Sequence, residues 1–203
     1  MKKIAVFTLI FALLCCGCAL AGKTSAQAFR GTAMEDFSVE TTDGGVFTLS
    51  EALKTKKAVI ISFWATWCGA CEEEFSSLQA AFEAYADDAA IIAISIEKTD
   101  SAEIMNSYAE AHGLSFLFAG DNALEFRSTY ATAGVPVNIA VDRFGNIAFL
   151  EAGSATFDES FTLLLERLCA DDYTETVIID GYPEPAGKNG VMDRRENRTC
   201  TSE

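Results

Sequence analysis

Apolar positions along this chain follow two periods, one typical of buried strands and one typical of amphipathic helices. The continuous β-rich runs at 58–64 and 90–96 predict strands buried on both faces. Between them, apolar residues recur every three or four positions with acidic residues on the other side, which predicts a helix over 71–87. The same patterns predict short strands at 116–118, 137–141 and 147–150, and helices at 101–111, 123–130 and 157–168.

Turn residues divide these segments and suggest how they connect. Residues 43–45 (Asp-Gly-Gly) separate two short β-rich runs at 37–39 and 46–48, which predicts an N-terminal hairpin. Ser50 and Glu51 then predict the start of a short helix. Strands alternating with helices, followed by a second hairpin around 142–146 and a last helix, indicate an α/β sandwich with a central mixed sheet.

The N-terminus has the pattern of an export signal. Lys2 and Lys3 precede an apolar run at 4–14, and residues 19–21 (Ala-Leu-Ala) offer a cleavage site, so residues 1–21 are predicted to be a signal peptide. A permanent membrane anchor is disfavoured because the run is short for a spanning helix. Lipidation at Cys16 or Cys18, as in a lipoprotein, remains an alternative.

The remaining chain divides into three predicted parts. Residues 22–33 are small and polar and are expected to form a flexible linker. The predicted domain covers residues 34–172. Periodicity then stops, so residues 173–203 are expected to be a loosely ordered tail, in which 177–179 could add one strand.

Composition narrows the class of partners. The 203 residues suffice for one domain with a full core, and half of them are apolar, which disfavours a disordered chain. The formal net charge of −15 disfavours binding to nucleic acid, because phosphate contacts need clustered Lys and Arg.

The cysteines supply the candidate chemistry. Removal of residues 1–21 leaves Cys68, Cys71, Cys169 and Cys200. An exported protein meets an oxidising compartment, where a close pair is either a structural disulfide or a redox centre. Nothing around Cys169 and Cys200 predicts catalysis, and they could pair or remain single.

Cys68 and Cys71 directly follow the strand predicted at 58–64 and lie at the start of the helix that comes after it. Cys68 therefore lies at a helix N-terminus, where free N–H groups and the helix dipole stabilise a thiolate, the nucleophile of disulfide exchange. Cys71 lies one turn along, close enough to form a disulfide. A zinc half-site is disfavoured because the only histidine, His112, is distant in sequence. A purely structural disulfide is disfavoured because so short a loop constrains the unfolded chain little.

Residues 63–71 resemble the active-site stretch of the extracytoplasmic TlpA/ResA branch of the thioredoxin-like proteins. The resemblance runs from about residue 34 to 168 and includes the turns at 43–45 and 141–145 and the Gly-Val-Pro at 134–136. It implies a thioredoxin-like three-layer sandwich, with a central mixed β-sheet flanked by helices and an N-terminal β-hairpin extension.

The resemblance also implies roles for individual residues. Cys68 would be the nucleophile and Cys71 the resolving thiol of a redox-active disulfide, and Trp67 and Val135 would bind substrate beside a cis Pro136. The residues alone support a special role for Pro136, since it is the only proline between the signal region and the tail and precedes a buried strand.

Glu74 occupies the position of the family's active-site glutamate and is the candidate proton acceptor for the resolving thiol. The alternative is that it is one of three first-turn acids that favour a helix N-terminus. Two departures bear on it. Phe75 stands where the family usually has a proline that kinks the helix, and Ser62 stands where cytoplasmic thioredoxins have a buried Asp.

The expected function is reduction of disulfides in exported proteins, in the periplasm or on the outer face of the membrane. The resemblance implies a membrane thiol-electron transporter as reductant, and apocytochromes awaiting haem are among the implied substrates. No cofactor or metal is expected, and the protein is expected to be a monomer. The alternatives are an oxidase or isomerase of the same fold and a non-enzymatic binding or assembly module. A peroxidase is disfavoured, because Ala65 stands where peroxiredoxins have Thr and no proline precedes Cys68.

Overall fold

The computed structural model describes residues 29–121, 126–131, 134–155, 158–175 and 177–183. Strands in this part of the chain are β1 (Ser38–Glu40), β2 (Val46–Thr48), β3 (Ala58–Trp64), β4 (Ala89–Ser95), β5 (Leu117–Gly120), β6 (Val137–Asp142) and β7 (Ile147–Ala152). Helices are α1 (Leu49–Ala52), α2 (Gly69–Tyr85), α3 (Ala102–His112), α4 (Phe126–Thr129) and α5 (Ser160–Cys169).

The main sheet has five strands in the order β5-β4-β3-β6-β7. Strands β3, β4 and β5 are parallel, while β6 and β7 are antiparallel to their neighbours, so the sheet is mixed. The strands β1 and β2 form a separate antiparallel hairpin. The predicted sandwich with a central mixed sheet and an N-terminal hairpin is therefore confirmed.

Strand β3 lies at the centre of the sheet, and all seven of its residues are buried. Successive side chains of a strand point to opposite faces. Trp64 accordingly packs against Tyr108 of α3 on one face, with ring centroids 4.9 Å apart. Phe63 packs on the other face against Phe126 of α4, at 5.4 Å. These two contacts show that helices pack against both faces of the sheet.

Both edges of the main sheet are covered by short segments of the chain. At the β5 edge, the Thr42 N–H donates to the carbonyl of Phe118 at 2.8 Å. At the β7 edge, the Gly31 N–H donates to the carbonyl of Ile147 at 2.8 Å, and the Ile179 N–H donates to the carbonyl of Ala148 at 2.8 Å. Covered edges lack the unpaired backbone groups that promote aggregation between sheets.

Two predicted boundaries need correction. The small, polar composition of residues 22–33 predicts a flexible linker, yet the Arg30 guanidinium binds the carbonyl of Leu150 and forms ion pairs with Glu151 and Asp180. The loss of periodicity after residue 172 predicts a loosely ordered tail, yet Ile179 is buried against the sheet. The domain therefore includes both segments as far as the structure describes them.

The C-terminal segment (residues 173–175 and 177–183) packs through isolated side chains. The hydroxyl of Tyr173, a buried residue, donates to the carboxylate of Asp142 at 3.0 Å. Residues 177–179 form no strand, although their β-branched side chains allow one there. Single anchoring residues produce no period of two or 3.6, so the pattern of the sequence could not show this packing.

The predicted signal peptide at 1–21 and the residues after 183 lie outside the described part of the chain. Within the described ranges, none of the helices has the length and apolar character needed to cross a bilayer.

The packing of the C-terminal segment predicts opposite outcomes for two neighbouring isoleucines. Ile179 is 3% exposed and Ile178 is 47% exposed. Ile179→Ala should lower the free energy of unfolding by about 2–3 kcal/mol, because it leaves a cavity at the sheet edge. Ile178→Ala, the matched control, should cost about 1 kcal/mol or less. Urea unfolding measures both, and equal losses would show that this segment is not docked as described.

Candidate active site

The loop between β3 and α2 is held in place by a buried carboxylate. Asp100 accepts hydrogen bonds from the Thr66 N–H at 3.0 Å and from the Thr66 hydroxyl at 2.6 Å. The same carboxylate accepts one from the hydroxyl of Ser95, the last residue of β4. Because three donors converge on one buried group, the loop that leads to Cys68 is fixed to the neighbouring strand.

Cys68 and Cys71 form a disulfide at the start of α2. Cys68 is the N-cap residue, and its Sγ accepts from the backbone N–H of Cys71 at 3.2 Å. The two sulfurs differ in access, since Cys68 is 7% exposed and Cys71 is fully buried. An N-cap sulfur faces the unpaired N–H groups of the first helical turn, which favour a thiolate when the pair is reduced.

Three other predicted site residues, Trp67, Val135 and Pro136, lie at the same end of the sheet. The side chain of Trp67 is exposed, and its indole N–H donates to Glu97 at 3.2 Å. The peptide bond between Val135 and Pro136 is cis, which is the isomer implied by the resemblance. The strand register pairs Val137 with Phe63, so Pro136 lies beside the end of β3 from which the cysteine loop departs.

Glu74 is buried one helical turn after Cys71 and is only 2% exposed. Its carboxylate accepts hydrogen bonds from the Asn138 side-chain amide at 3.0 and 3.2 Å and from the Ala155 N–H at 3.2 Å. Burial raises the pKa of Glu74 to about 7, and the hydrogen bonds from Asn138 and Ala155 oppose that shift. Glu74 can therefore exchange a proton near neutral pH.

Phe75, the residue that replaces the family's usual proline, anchors the start of α2. Its ring packs edge-on against Trp64 at 5.2 Å and against Phe116 at 5.6 Å. The preceding residue, Glu74, is buried without the proline, so the departure does not expose the carboxyl group to solvent.

Two residues near Glu74, Asn138 and Tyr182, were not predicted from the sequence. Asn138 lies in β6, buried and paired in register with Ser62 of β3. Its amide nitrogen donates to the hydroxyl of Tyr182 at 2.6 Å. The signal for Asn138 was a polar residue inside an otherwise apolar buried strand. No comparable signal marked Tyr182, which lies in the aperiodic C-terminal segment.

The remaining candidates lie in other surroundings. The ring of His112 stacks on Tyr108 at 4.3 Å, and its Nδ1 is 3.9 Å from a carboxylate oxygen of Glu72. Cys169 carries a free, buried thiol, and burial is the main cause that raises its pKa to about 11. Cys200 lies outside the described residues.

Residues 30–150 match the sequence model of the AhpC/TSA family, which is more than half of the chain. The chain belongs to the AhpC/TSA family. Among its relatives is the thioredoxin-like protein YneN of Bacillus subtilis (strain 168), which is 29% identical over 64% of this chain and 75% of that protein. A thiol-disulfide oxidoreductase ResA of Bacillus cereus is 26% identical over 78% of this chain and 93% of that protein.

Solved structures agree on the fold of this AhpC/TSA family member. A thiol:disulfide interchange protein of the thioredoxin family from Chlorobium tepidum TLS superposes with a TM-score of 0.59 and 22% identity. The match covers 70% of this chain and 98% of that one. The thioredoxin-like fold is thereby confirmed. The fold, the cysteine pair and the relatives together identify a thiol–disulfide oxidoreductase of the ResA type.

The raised pKa of Glu74 predicts a loss of stability as pH rises. The folded protein holds this proton up to about pH 7, whereas the unfolded chain, in which the carboxyl group has its ordinary pKa, releases it near pH 4.5. Between these values the folded state binds more protons, so stability falls with increasing pH and the loss is complete above pH 7. By this linkage the total is about 3 kcal/mol.

Glu74→Gln should remove most of that pH-dependent loss, and urea unfolding of the disulfide-bonded protein at pH 4.5, 6 and 8 would measure it. Glu73→Gln is the matched control, because Glu73 is the exposed neighbour on the same helix and should leave the pH dependence unchanged. If the two variants keep the same pH dependence as the unaltered protein, Glu74 does not titrate as described.

Proposed function

We propose that this protein is an extracytoplasmic reductase that reduces disulfides in exported proteins through Cys68 and Cys71. The observation that carries the proposal is the disulfide at the N-terminus of α2, with a more exposed sulfur in front and a buried ionisable carboxyl group behind. A purely structural disulfide would need neither the difference in access nor a proton acceptor at that place.

The first step is attack by the reduced protein on its substrate. The Cys68 thiolate attacks one sulfur of the substrate disulfide. A bond forms between Cys68 and that sulfur, and the substrate S–S bond breaks. The other substrate sulfur leaves as a thiolate and takes up a proton. The helix N-terminus stabilises the attacking thiolate, and Cys71 is too deeply buried to compete for the substrate.

The second step releases the reduced substrate. Cys71 transfers its thiol proton to the Glu74 carboxylate and attacks the Cys68 sulfur. The Cys68–Cys71 disulfide forms, and the second substrate sulfur leaves as a thiolate. Two electrons have then passed from the dithiol to the substrate. A pKa of about 7 suits Glu74 to this role, because a base works best when its pKa is near the working pH.

Trp67, Val135 and Pro136 are the proposed substrate-binding residues. Trp67 offers an exposed ring beside Cys68, and Val135 is half-buried next to the exposed Gly134. An extended substrate segment could pair with the backbone at Val135 by strand addition, which positions its disulfide without demanding a particular sequence.

The sequence favours reduction as the direction of electron transfer and the outside of the cytoplasmic membrane as the location. Gly69 and Ala70 lack the histidine that stabilises the reduced form of strong oxidants, which favours reduction. The signal peptide at 1–21, with lipid anchoring at Cys16 or Cys18 as the alternative, would put the domain outside the cytoplasmic membrane. A membrane thiol-electron transporter would then supply the reducing equivalents to a monomeric protein, and exported proteins, including apocytochromes, would consume them.

Trapping the intermediate tests the order of attack. Reduced Cys71→Ser protein, mixed with insulin in the absence of other thiols, should accumulate a mixed disulfide through Cys68 that is visible by mass spectrometry. Cys68→Ser should form no adduct. In a separate assay of insulin reduction driven by an added dithiol, the rate with Cys68→Ser should fall to that of the dithiol alone.

Cys169→Ser is the matched control for this experiment, because it removes a buried thiol outside the pair and should keep the unaltered protein's rate. Reduction by Cys68→Ser at the rate of the unaltered protein would rule out the proposed enzyme.

A further inference from the structure

We propose that Tyr182 is a positioning residue for Glu74. The Tyr182 hydroxyl holds the side-chain amide of Asn138 in the orientation in which one of its N–H groups faces the Glu74 carboxyl group. The inference rests on the proposed function, in which Glu74 accepts the proton of Cys71. It adds to that function a residue of the C-terminal segment that touches neither the substrate nor the reacting sulfurs.

The directions of the hydrogen bonds follow from one backbone carbonyl. The Tyr182 oxygen lies 3.1 Å from the carbonyl oxygen of Gly153, which can only accept. The hydroxyl proton must therefore point to Gly153, and the same oxygen must accept from Asn138 at 2.6 Å. This arrangement determines which end of the Asn138 amide is nitrogen. The second N–H of that nitrogen is then directed at the Glu74 carboxylate.

Burial leaves Asn138 no equivalent alternative. The side chain is fully buried, and its carbonyl oxygen has no hydrogen-bond partner in the described structure. Without the Tyr182 hydroxyl, one N–H would lose its acceptor, and the amide could turn its oxygen towards Glu74. An oxygen at that position accepts from a protonated carboxyl group and repels an ionised one. Both effects, the hydrogen bond from the protonated carboxyl group and the repulsion of the ionised one, favour the protonated form of Glu74.

The ring of Tyr182 is held separately from its hydroxyl. It packs between Phe149 of β7, at 5.1 Å, and Phe161 of α5, at 5.5 Å. The segment that carries it is pinned by the backbone of Ile179 and by the ion pair of Asp180 with Arg30. A phenylalanine at position 182 would therefore keep the packing and lose only the hydroxyl.

Among the residues that the structure describes, few ionisable groups act on Glu74. Cys71 lies one turn before Glu74 on α2, and Tyr182 faces it from the C-terminal segment. Burial and the nearby Glu74 charge raise the pKa of Tyr182, which keeps its hydroxyl protonated at neutral pH. Glu151 of β7 acts on Tyr182 in the same direction. The other groups that act on the carboxylate, the Asn138 amide, the Ala155 N–H and the Ser62 hydroxyl, do not titrate in this pH range.

The test is a direct titration of the Glu74 carboxyl group by carbon-13 NMR in the disulfide-bonded protein. Tyr182→Phe should raise the pKa of Glu74 by about one unit, the size expected for the loss of one oriented hydrogen bond. Tyr182→Leu, which also lacks the hydroxyl, should raise it in the same direction. Tyr173→Phe is the matched control, because it removes another buried tyrosine hydroxyl from the same segment, one that donates to Asp142 instead.

An upward shift with Tyr182→Phe and none with Tyr173→Phe would support the inference. No shift with Tyr182→Phe, or an equal shift with Tyr173→Phe, would overturn it. The titration needs no substrate, so its outcome is independent of whether Cys68 reduces insulin. Failure of the reductase assay would count against the proposed function alone.

Discussion

The complete burial of β3 is the constraint from which the site follows. A strand with neighbours on both sides and layers on both faces cannot shift register without exposing apolar side chains. Its last residue, Trp64, is therefore fixed, and the chain has four residues in which to turn into α2. That turn places Cys68 at the helix cap and Cys71 inside the protein. The difference between the two sulfurs is thus a consequence of chain geometry.

The buried carboxyl group of Glu74 is the costly part of this arrangement. A carboxylate removed from water is stable only where hydrogen bonds replace its hydration, and here they come from Asn138 and Ala155. The two donors belong to β6 and to the loop after β7, so the second half of the sheet supplies the hydrogen bonds to Glu74. The first half of the sheet, through β3 and the loop that follows it, positions the sulfurs of Cys68 and Cys71. The proposed role of Glu74 as a proton acceptor would account for the buried polar residues Glu74 and Asn138, which would otherwise weaken the core.

The sequence could predict the parts of this structure that depend on local order. The run of apolar residues at 58–64 gave β3 with its observed bounds, and the spacing of Cys68 and Cys71 gave the pair, because both are short-range patterns. The family resemblance supplied Glu74 and the cis bond before Pro136. Contacts between distant single residues could not be predicted in the same way. Asn138 reaches Glu74 across 64 positions, and Tyr182 reaches Asn138 across 44, and neither pair leaves a period in the sequence.

The reduction potential of the Cys68–Cys71 pair tests most directly whether this protein is a reductase. It is measured by equilibrating the protein with thiol–disulfide buffers of known potential, alkylating the free thiols and reading the oxidised fraction by mass. A reductase of this kind should have a value near the roughly −270 mV typical of thioredoxin. A value near the roughly −120 mV of strong periplasmic oxidants would contradict this expectation and reverse the direction of electron transfer.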